Sequence, residues 1–218
     1  MEGVMAIIRK SPLAFTPGTQ NGYSNSGMFV VGALVAQVSG QSYYDYVRQH
    51  VFTPAGMTST DFYTRPQVRS SSRFAHAYLT QPSGDKLDFT ESDNFGFIGT
   101  PVNGAYSTVS DLLRYAEALR TGTLLSPSFS ALITGAKVAL SPSDLPPDPD
   151  PHRFYGYGFR VSIRNNHEVF GHSGSGGGTT TNLDIYSDLN WVGVILSNYS
   201  TSIASMVDLE RKLVSEAR

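Results

Sequence analysis

Two short stretches of this chain combine residue types and spacing suited to chemistry. One is Gly171-His172-Ser173-Gly174-Ser175, which follows the strand-like Val169-Phe170 and runs on into Gly176-Gly177-Gly178. Consecutive glycines carry no Cβ, so main-chain N–H groups can face a ligand without side chains in the way. His172 and Ser173 add polar groups at the same rim. The other is Tyr23-Ser24-Asn25. In an extended loop, residues two apart point to the same side, which places a phenol able to move a proton beside an amide able to hydrogen-bond a substrate.

Each stretch has plainer readings. The glycines suit a hairpin turn between two strands. A phosphate cradle needs a helix N-terminus after the glycines, whereas Thr179-Thr180-Thr181-Asn182-Leu183-Asp184-Ile185-Tyr186 is β-branched and alternating, a strand pattern. His167-Glu168 and His172 resemble a zinc motif with one residue too many. On a strand, positions five apart face opposite sides and cannot share a metal, so no metal or other cofactor is expected. For Tyr23-Ser24-Asn25 the plain reading is a turn in which Ser24 or Asn25 caps the next helix.

The elements that must hold these residues can be read from periodicity. A first helix ends before Pro12. After the turn-rich Phe15-Thr16-Pro17-Gly18-Thr19, a helix begins near Ser26 and ends at Gly40; Met28, Phe29, Val30, Val31, Ala33, Leu34, Val35 and Val38 make it apolar on almost every side, the mark of a buried helix. Ser42, with Asp45 three residues on, caps a helix whose Tyr43, Tyr46, Val47, His50 and Val51 share a face. From Asp61 to Gly104 the pattern predicts long loops with short strands. Thr108 then caps a helix that carries Val109, Leu112, Leu113, Ala116 and Leu119 inward until Gly122.

Ser141 to Pro151 holds five prolines and three aspartates, a stiff surface loop. Beyond it, Tyr155, Tyr157, Phe159, Val161 and Ile163 alternate with smaller or polar residues as one strand. Asn165-Asn166 turns that strand into the His172 strand, and two more follow, Thr179 to Tyr186 and Trp191 to Asn198. A closing helix from about Ser202 turns Ile203, Met206, Val207, Leu213 and Val214 inward. The sum is an α+β fold in a single domain over 1–218: a helical and loop region over 1–150, then an antiparallel sheet with a C-terminal helix over 151–218.

Composition narrows the function. With 218 residues, 40% hydrophobic and 16% charged, the chain can build a full core. A net charge of −2 gives no basic field for nucleic acid. With no cysteine, thiol chemistry and disulfides are excluded. Met28 to Val38 is too short for a bilayer, which needs about 20 residues, so no transmembrane segment is expected.

The order of Phe15-Thr16-Pro17-Gly18-Thr19, Tyr23-Ser24-Asn25-Ser26-Gly27, Phe52-Thr53-Pro54-Ala55-Gly56-Met57, Gly104-Ala105-Tyr106-Ser107-Thr108-Val109-Ser110-Asp111-Leu112 and Gly171-His172-Ser173-Gly174 is specific in combination. In it the chain resembles the serine β-lactamase and penicillin-binding-protein superfamily, on the branch of class C β-lactamases, D-alanyl-D-alanine carboxypeptidases and related esterases. The resemblance implies a β-lactamase/transpeptidase-like fold and acyl-enzyme chemistry on a D-alanyl peptide, a β-lactam or a small ester. It makes Tyr23 the acid/base, Asn25 a hydrogen-bonder to substrate and lysine, and His172-Ser173-Gly174 the third motif. His172 would contact a substrate carboxylate or ester oxygen, and the N–H of Ser175 would be an oxyanion donor. A phenol titrates near pH 10, so Tyr23 serves as a base near neutrality only beside a cation, the family's motif lysine. The resemblance also implies a periplasmic or other extracytoplasmic setting.

One motif departs from the pattern. The family's Ser-x-x-Lys should precede Tyr23, and the literal match here, Ser83-Gly84-Asp85-Lys86, follows it and holds Gly and Asp where a helix start needs helix formers. The chain therefore reads as the C-terminal portion of such a hydrolase, N-terminally incomplete and without its nucleophile. The partners expected are a small-molecule or peptide substrate and either a second copy of the chain or the missing N-terminal segment. The competing functions are a non-catalytic ligand-binding or scaffold protein that keeps the pocket, and an unrelated tyrosine-rich ligand-binding domain.

Overall fold

Side-chain caps start several of the helices. The computed structural model describes residues 2–140 and 152–216; the expected loop from Ser141 to Pro151 lies outside them. After α1 (Glu2–Ile8), helix α2 (Asn25–Ser39) begins where Ser24 Oγ accepts from the Gly27 N–H at 2.9 Å, and ends at Gly40, whose φ of 68° suits a residue without Cβ. Ser42 likewise caps α3 (Tyr43–Val47), accepting from Asp45 N at 3.1 Å. This helix passes into a π-helical turn, Arg48–Phe52. The wider turn rotates the expected face, so that His50 lies exposed, its ring 4.4 Å from that of Tyr46.

The segment expected to be loops and short strands contains a one-turn helix α4 (Arg65–Arg69) and a hairpin, β1 (Tyr78–Thr80) with β2 (Lys86–Asp88). Thr108 caps α5 (Val109–Arg120) as expected. Asp111, in its first turn, is fully buried and accepts from Ser59 N, Thr60 Oγ1 and Arg114, each at 2.7 Å. Burial pushes its carboxyl up, and those bonds outweigh burial and hold it below the usual carboxylate range. Val109 and Leu113, expected inward, are exposed, because the helix turns Ala116, Ala118 and Leu119 to the core instead. The sequence reading also missed α6 (Pro127–Thr134), which Ser126 caps with Pro127 at the first helical position.

Among the described residues the sheet has six strands, all antiparallel and in chain order: β3 (Val138–Ala139), β4 (Arg153–Tyr155), β5 (Arg160–Arg164), β6 (His167–Gly176), β7 (Thr179–Tyr186) and β8 (Trp191–Ser197). The single strand expected across Tyr155 to Ile163 is two strands. Gly158 at φ 86° reverses the chain, and Gly156 sits where a Cβ would come within 2.9 Å of the Ile133 carbonyl. Asn165 and Asn166, at φ 48° and 67°, turn β5 into β6 as expected.

One face of this sheet packs on α5 and α6. Ala116 and Leu119 meet Phe159, Val161, Phe170 and Ile185, with Ile133 and Leu183 at the margin. The other face meets α7 (Ala204–Glu216) through polar groups: Arg211 donates to both oxygens of Asp184 at 2.7 and 3.0 Å, and Tyr186 OH donates to Glu210 at 3.0 Å. Val207 is buried there, while Met206 and Leu213, expected inward, are 56% and 60% exposed. Helix α2 departs most from expectation. Phe29 and Gly32 are buried, the latter where a Cβ would collide with the ring of Pro101, but Val31, Leu34 and Val38 are 51%, 58% and 78% exposed. Its apolar residues encircle the helix, and the described residues cover one side of it.

The outer edge of β8 pairs with no strand over Trp191–Ser197 among the described residues. Beyond its end, Tyr78 N donates to the Asn198 carbonyl at 2.9 Å, so the first hairpin only abuts the sheet there. An unblocked edge rich in Val, Ile and Leu is a pairing template, and α2 adds an apolar surface. The 218-residue chain alone is expected to bind a hydrophobic dye and to self-associate at micromolar concentration in light scattering. A dye-negative compact monomer would show that the chain covers both surfaces itself.

Glu210 makes stability depend on pH. Burial, then the negative charge of Asp184, raise its pKa to about 7, against opposing contributions from Tyr186, Arg211 and Arg164. The folded state therefore holds this proton more tightly than an unfolded chain, so the favourable contribution is complete below pH 4.5 and lost as pH rises through 7. Glu210→Gln is expected to raise Tm at pH 8 and leave it unchanged at pH 4, as thermal melts at the two pH values would report.

Candidate active site

The strand β6 presents its residues alternately to the two faces of the sheet, and its partners decide what each one meets. Phe170 faces α5, and His172, two residues on, projects from the same side past the end of that core. Its ring meets Tyr23, with centroids 6.2 Å apart, and Tyr155, with centroids 6.0 Å apart at 87°. Tyr23 and Tyr155 complete the group at 6.4 Å, edge to face. The fold thus joins the lead-in to α2, the end of β4 and the middle of β6.

Hydrogen bonds fix the imidazole. Its Nδ1 lies 2.6 Å from the Ser173 carbonyl oxygen, which can only accept, so Nδ1 carries the proton. In the neutral ring Nε2 is then the acceptor, and Tyr155 OH donates to it at 3.1 Å. Burial pulls the His172 pKa below the usual histidine value, the Ser173 carbonyl opposes this, and the positive charge of Arg160 lowers it further. Burial, then the neighbouring Tyr23, push the Tyr155 phenol up, against a smaller opposing effect of Arg160.

Ser173 turns the other way. Its Oγ accepts from Arg160 at 2.8 Å, beside a cavity of about 400 Å³ that is also lined by Asn182, Val207 and Arg211. Gly174 pairs with Thr181 in a register where a Cβ would stand 2.8 Å from Thr181 Oγ1, so the strand is bare at that point. Ser175 is exposed beyond it, and Gly177-Gly178, both at positive φ, make the two-residue turn into β7. The hairpin reading of the glycines and the closeness of His172 to Tyr23 therefore hold together.

Tyr23 is 63% exposed. Ser24 is the residue that caps α2, which leaves Asn25 as the first helical residue, exposed and with no side-chain hydrogen bond among the described residues. Tyr155 and Arg160 were not singled out by the sequence. Tyr155 reads there as one more alternating strand residue, and only the Gly156–Gly158 reversal brings it back to His172.

Ser83-Gly84-Asp85-Lys86 lies in the exposed β1–β2 turn. Ser83 Oγ donates to Asp85 at 2.8 Å, whereas Lys86 Nζ donates to Thr80 Oγ1 at 2.6 Å and lies over the Tyr199 ring. The lysine does not serve the serine. Among the described residues one cluster has ligand-like spacing: His76, Asp88 and Glu91 place ligand atoms within 4.8 Å of one another. His76 and Asp88 already bond at 2.7 Å and Arg69 stands 3.5 Å from Glu91, so the group pins the hairpin to its neighbours. His167 bonds to Asp188 at 2.6 Å, away from His172.

Comparison with known proteins gives the family and the fold. The family model described as Beta-lactamase matches residues 2–217, and the chain belongs to that family. Penicillin-binding protein 4 of Amycolatopsis lactamdurans is 24% identical over 204 residues, which are 92% of this chain and 53% of that protein. The penicillin binding protein from Bacillus halodurans superposes with a TM-score of 0.82 at 23% identity, over 97% of this chain and 62% of that one. The octameric penicillin-binding protein homologue from Pyrococcus abyssi gives a TM-score of 0.83 at 22% identity, over 98% of this chain and 47% of that one. The chain spans about half the length of the curated relatives it matches.

With Ser83 in a turn and Lys86 turned away, the 218-residue chain is expected to form no covalent adduct with a fluorescent penicillin or a fluorophosphonate. Intact-mass spectrometry checks this, and stoichiometric labelling of Ser83 would contradict it.

Proposed function

We infer that this chain carries the acid/base and substrate-strand half of a serine hydrolase that works through an acyl-enzyme on a D-alanyl peptide, a β-lactam or a small ester. The family supports acyl-transfer chemistry in general. The single observation that carries the reading is the ring contact of Tyr23 with His172 at 6.2 Å, since it joins two motif positions remote in sequence. The nucleophile and its lysine come from outside this chain. Tyr23 moves the proton of that nucleophile and returns it to the leaving group, a role its exposure on the open side of the site allows. Asn25, free of the cap, hydrogen-bonds the substrate and the lysine. His172, Ser173 and Gly174 form the strand along which the substrate lies, and the N–H of Ser175 is one of two oxyanion donors.

The test needs a protein that also contains the Ser-x-x-Lys helix. There, Tyr23→Phe is expected to lower the chemical step by about 10²-fold or more with folding unchanged. Full turnover by Tyr23→Phe, together with unfolding of Asn25→Ala, would reduce the tripeptide to a helix lead-in and remove Tyr23 from the mechanism.

A further inference from the structure

The hydrogen-bond chain through His172 bears on what the site can recognise. A carboxylate at this rim would need a charged donor, and His172 could be one only as an imidazolium with a free N–H. Both ring nitrogens are already committed. Nδ1–H is held by the Ser173 carbonyl at 2.6 Å, an acceptor built into the same strand, and Nε2 takes the Tyr155 proton at 3.1 Å. Tyr155 is itself held in place by the sheet, opposite Arg160 and Val138 in register. Among the described residues the groups facing the imidazole are the phenols of Tyr23 and Tyr155 from the α2 lead-in and β4, and the one cation that acts on it is Arg160 from β5. Among the described residues no carboxylate acts on it to favour an imidazolium. Arg160 in turn donates to Ser173 on the other side of the strand, so its charge opposes protonation of His172 from behind.

Resting on the function proposed above, we propose that Tyr155 is a positioning residue that keeps His172 a neutral, Nδ1-protonated acceptor, and that the site thereby takes uncharged esters or amides in preference to substrates anchored by a carboxylate. Three aromatic rings, those of Tyr23, Tyr155 and His172, then form the wall against which an apolar acyl or leaving group packs. The low pKa of His172 is in keeping with this, as burial and Arg160 both disfavour the cation.

The test uses the intact protein that carries this chain. Nitrogen-15 spectra of the labelled histidines, followed through pH, are expected to show His172 with a protonated Nδ1, a bare Nε2 and a titration below the usual histidine range. In Tyr155→Phe, which keeps the ring and loses the donor, the titration is expected to move upward. Steady-state assays with p-nitrophenyl butyrate as the neutral ester and nitrocefin as the carboxylated substrate supply the second readout. Wild type is expected to favour the ester, and Tyr155→Phe to shift the ratio of the two kcat/KM values toward nitrocefin by about tenfold or more at pH values where its His172 has become charged. An imidazolium or an Nε2-protonated ring in wild type at pH 7, or a substrate ratio unmoved by the variant, would overturn the proposal. Turnover of neither substrate would count against the hydrolase reading instead, while the spectra would still decide the role of Tyr155.

Discussion

The packing of Phe159, Val161, Phe170 and Ile185 on Ala116 and Leu119 fixes which face each strand offers to the helices. Side chains on a strand alternate with a period of two, so a one-residue slip would turn every residue of β6 to the opposite side. With Phe170 committed to α5, His172 must emerge on the side of Tyr23 and Ser173 on the side of Arg160. The same choice sends Asn182, Asp184 and Tyr186 of β7 to the face of α7, where Asp184 meets Arg211 and Tyr186 meets Glu210. One hydrophobic contact layer thus sets the orientation of both a reactive rim and a polar helix interface.

The parts of this arrangement legible in the sequence are those written in local rules. Ser42 and Thr108 announce their helices, Gly40 and Gly122 end theirs, and Asn165-Asn166 is a hairpin turn by composition alone. Tyr23, His172 and Ser173 were recognisable as a set because their order matches a family pattern. Their contact is a tertiary fact. Tyr155 and Arg160 escaped notice because alternation describes a strand but does not say that the strand folds back on itself. The Gly156-Tyr157-Gly158 reversal is masked by the aromatic at its centre, which keeps the period-two pattern intact through the turn.

Burial was the least legible property. The apolar ring of α2 predicts a helix surrounded by protein, yet Val31, Leu34 and Val38 stand in solvent. Met206 and Leu213 of α7 and Trp191 of β8 repeat this at the other side of the sheet. Sequence periodicity records what a segment is suited to pack against. It does not record whether that partner lies in the same stretch of chain, and here the chain spans about half of its matched relatives.

This bears on the site through α2. Tyr23 is positioned by a helix that is anchored on one side through Phe29 and Gly32 and started by the Ser24 cap, a bond typically worth about 1 kcal/mol. Fully covering a Val or Leu side chain contributes roughly 1.5–3 kcal/mol, so a partner that buried Val31, Leu34 and Val38 would add more than the cap provides. His172 needs no such help, because β6 is held by β5 and β7 along its length. The two halves of the rim therefore differ in rigidity for a physical reason. The strand side is paired along its length, while the tyrosine side rests on a helix that the described residues pack on one side only, so cover over the open face of α2 would tighten the side of the rim that holds Tyr23.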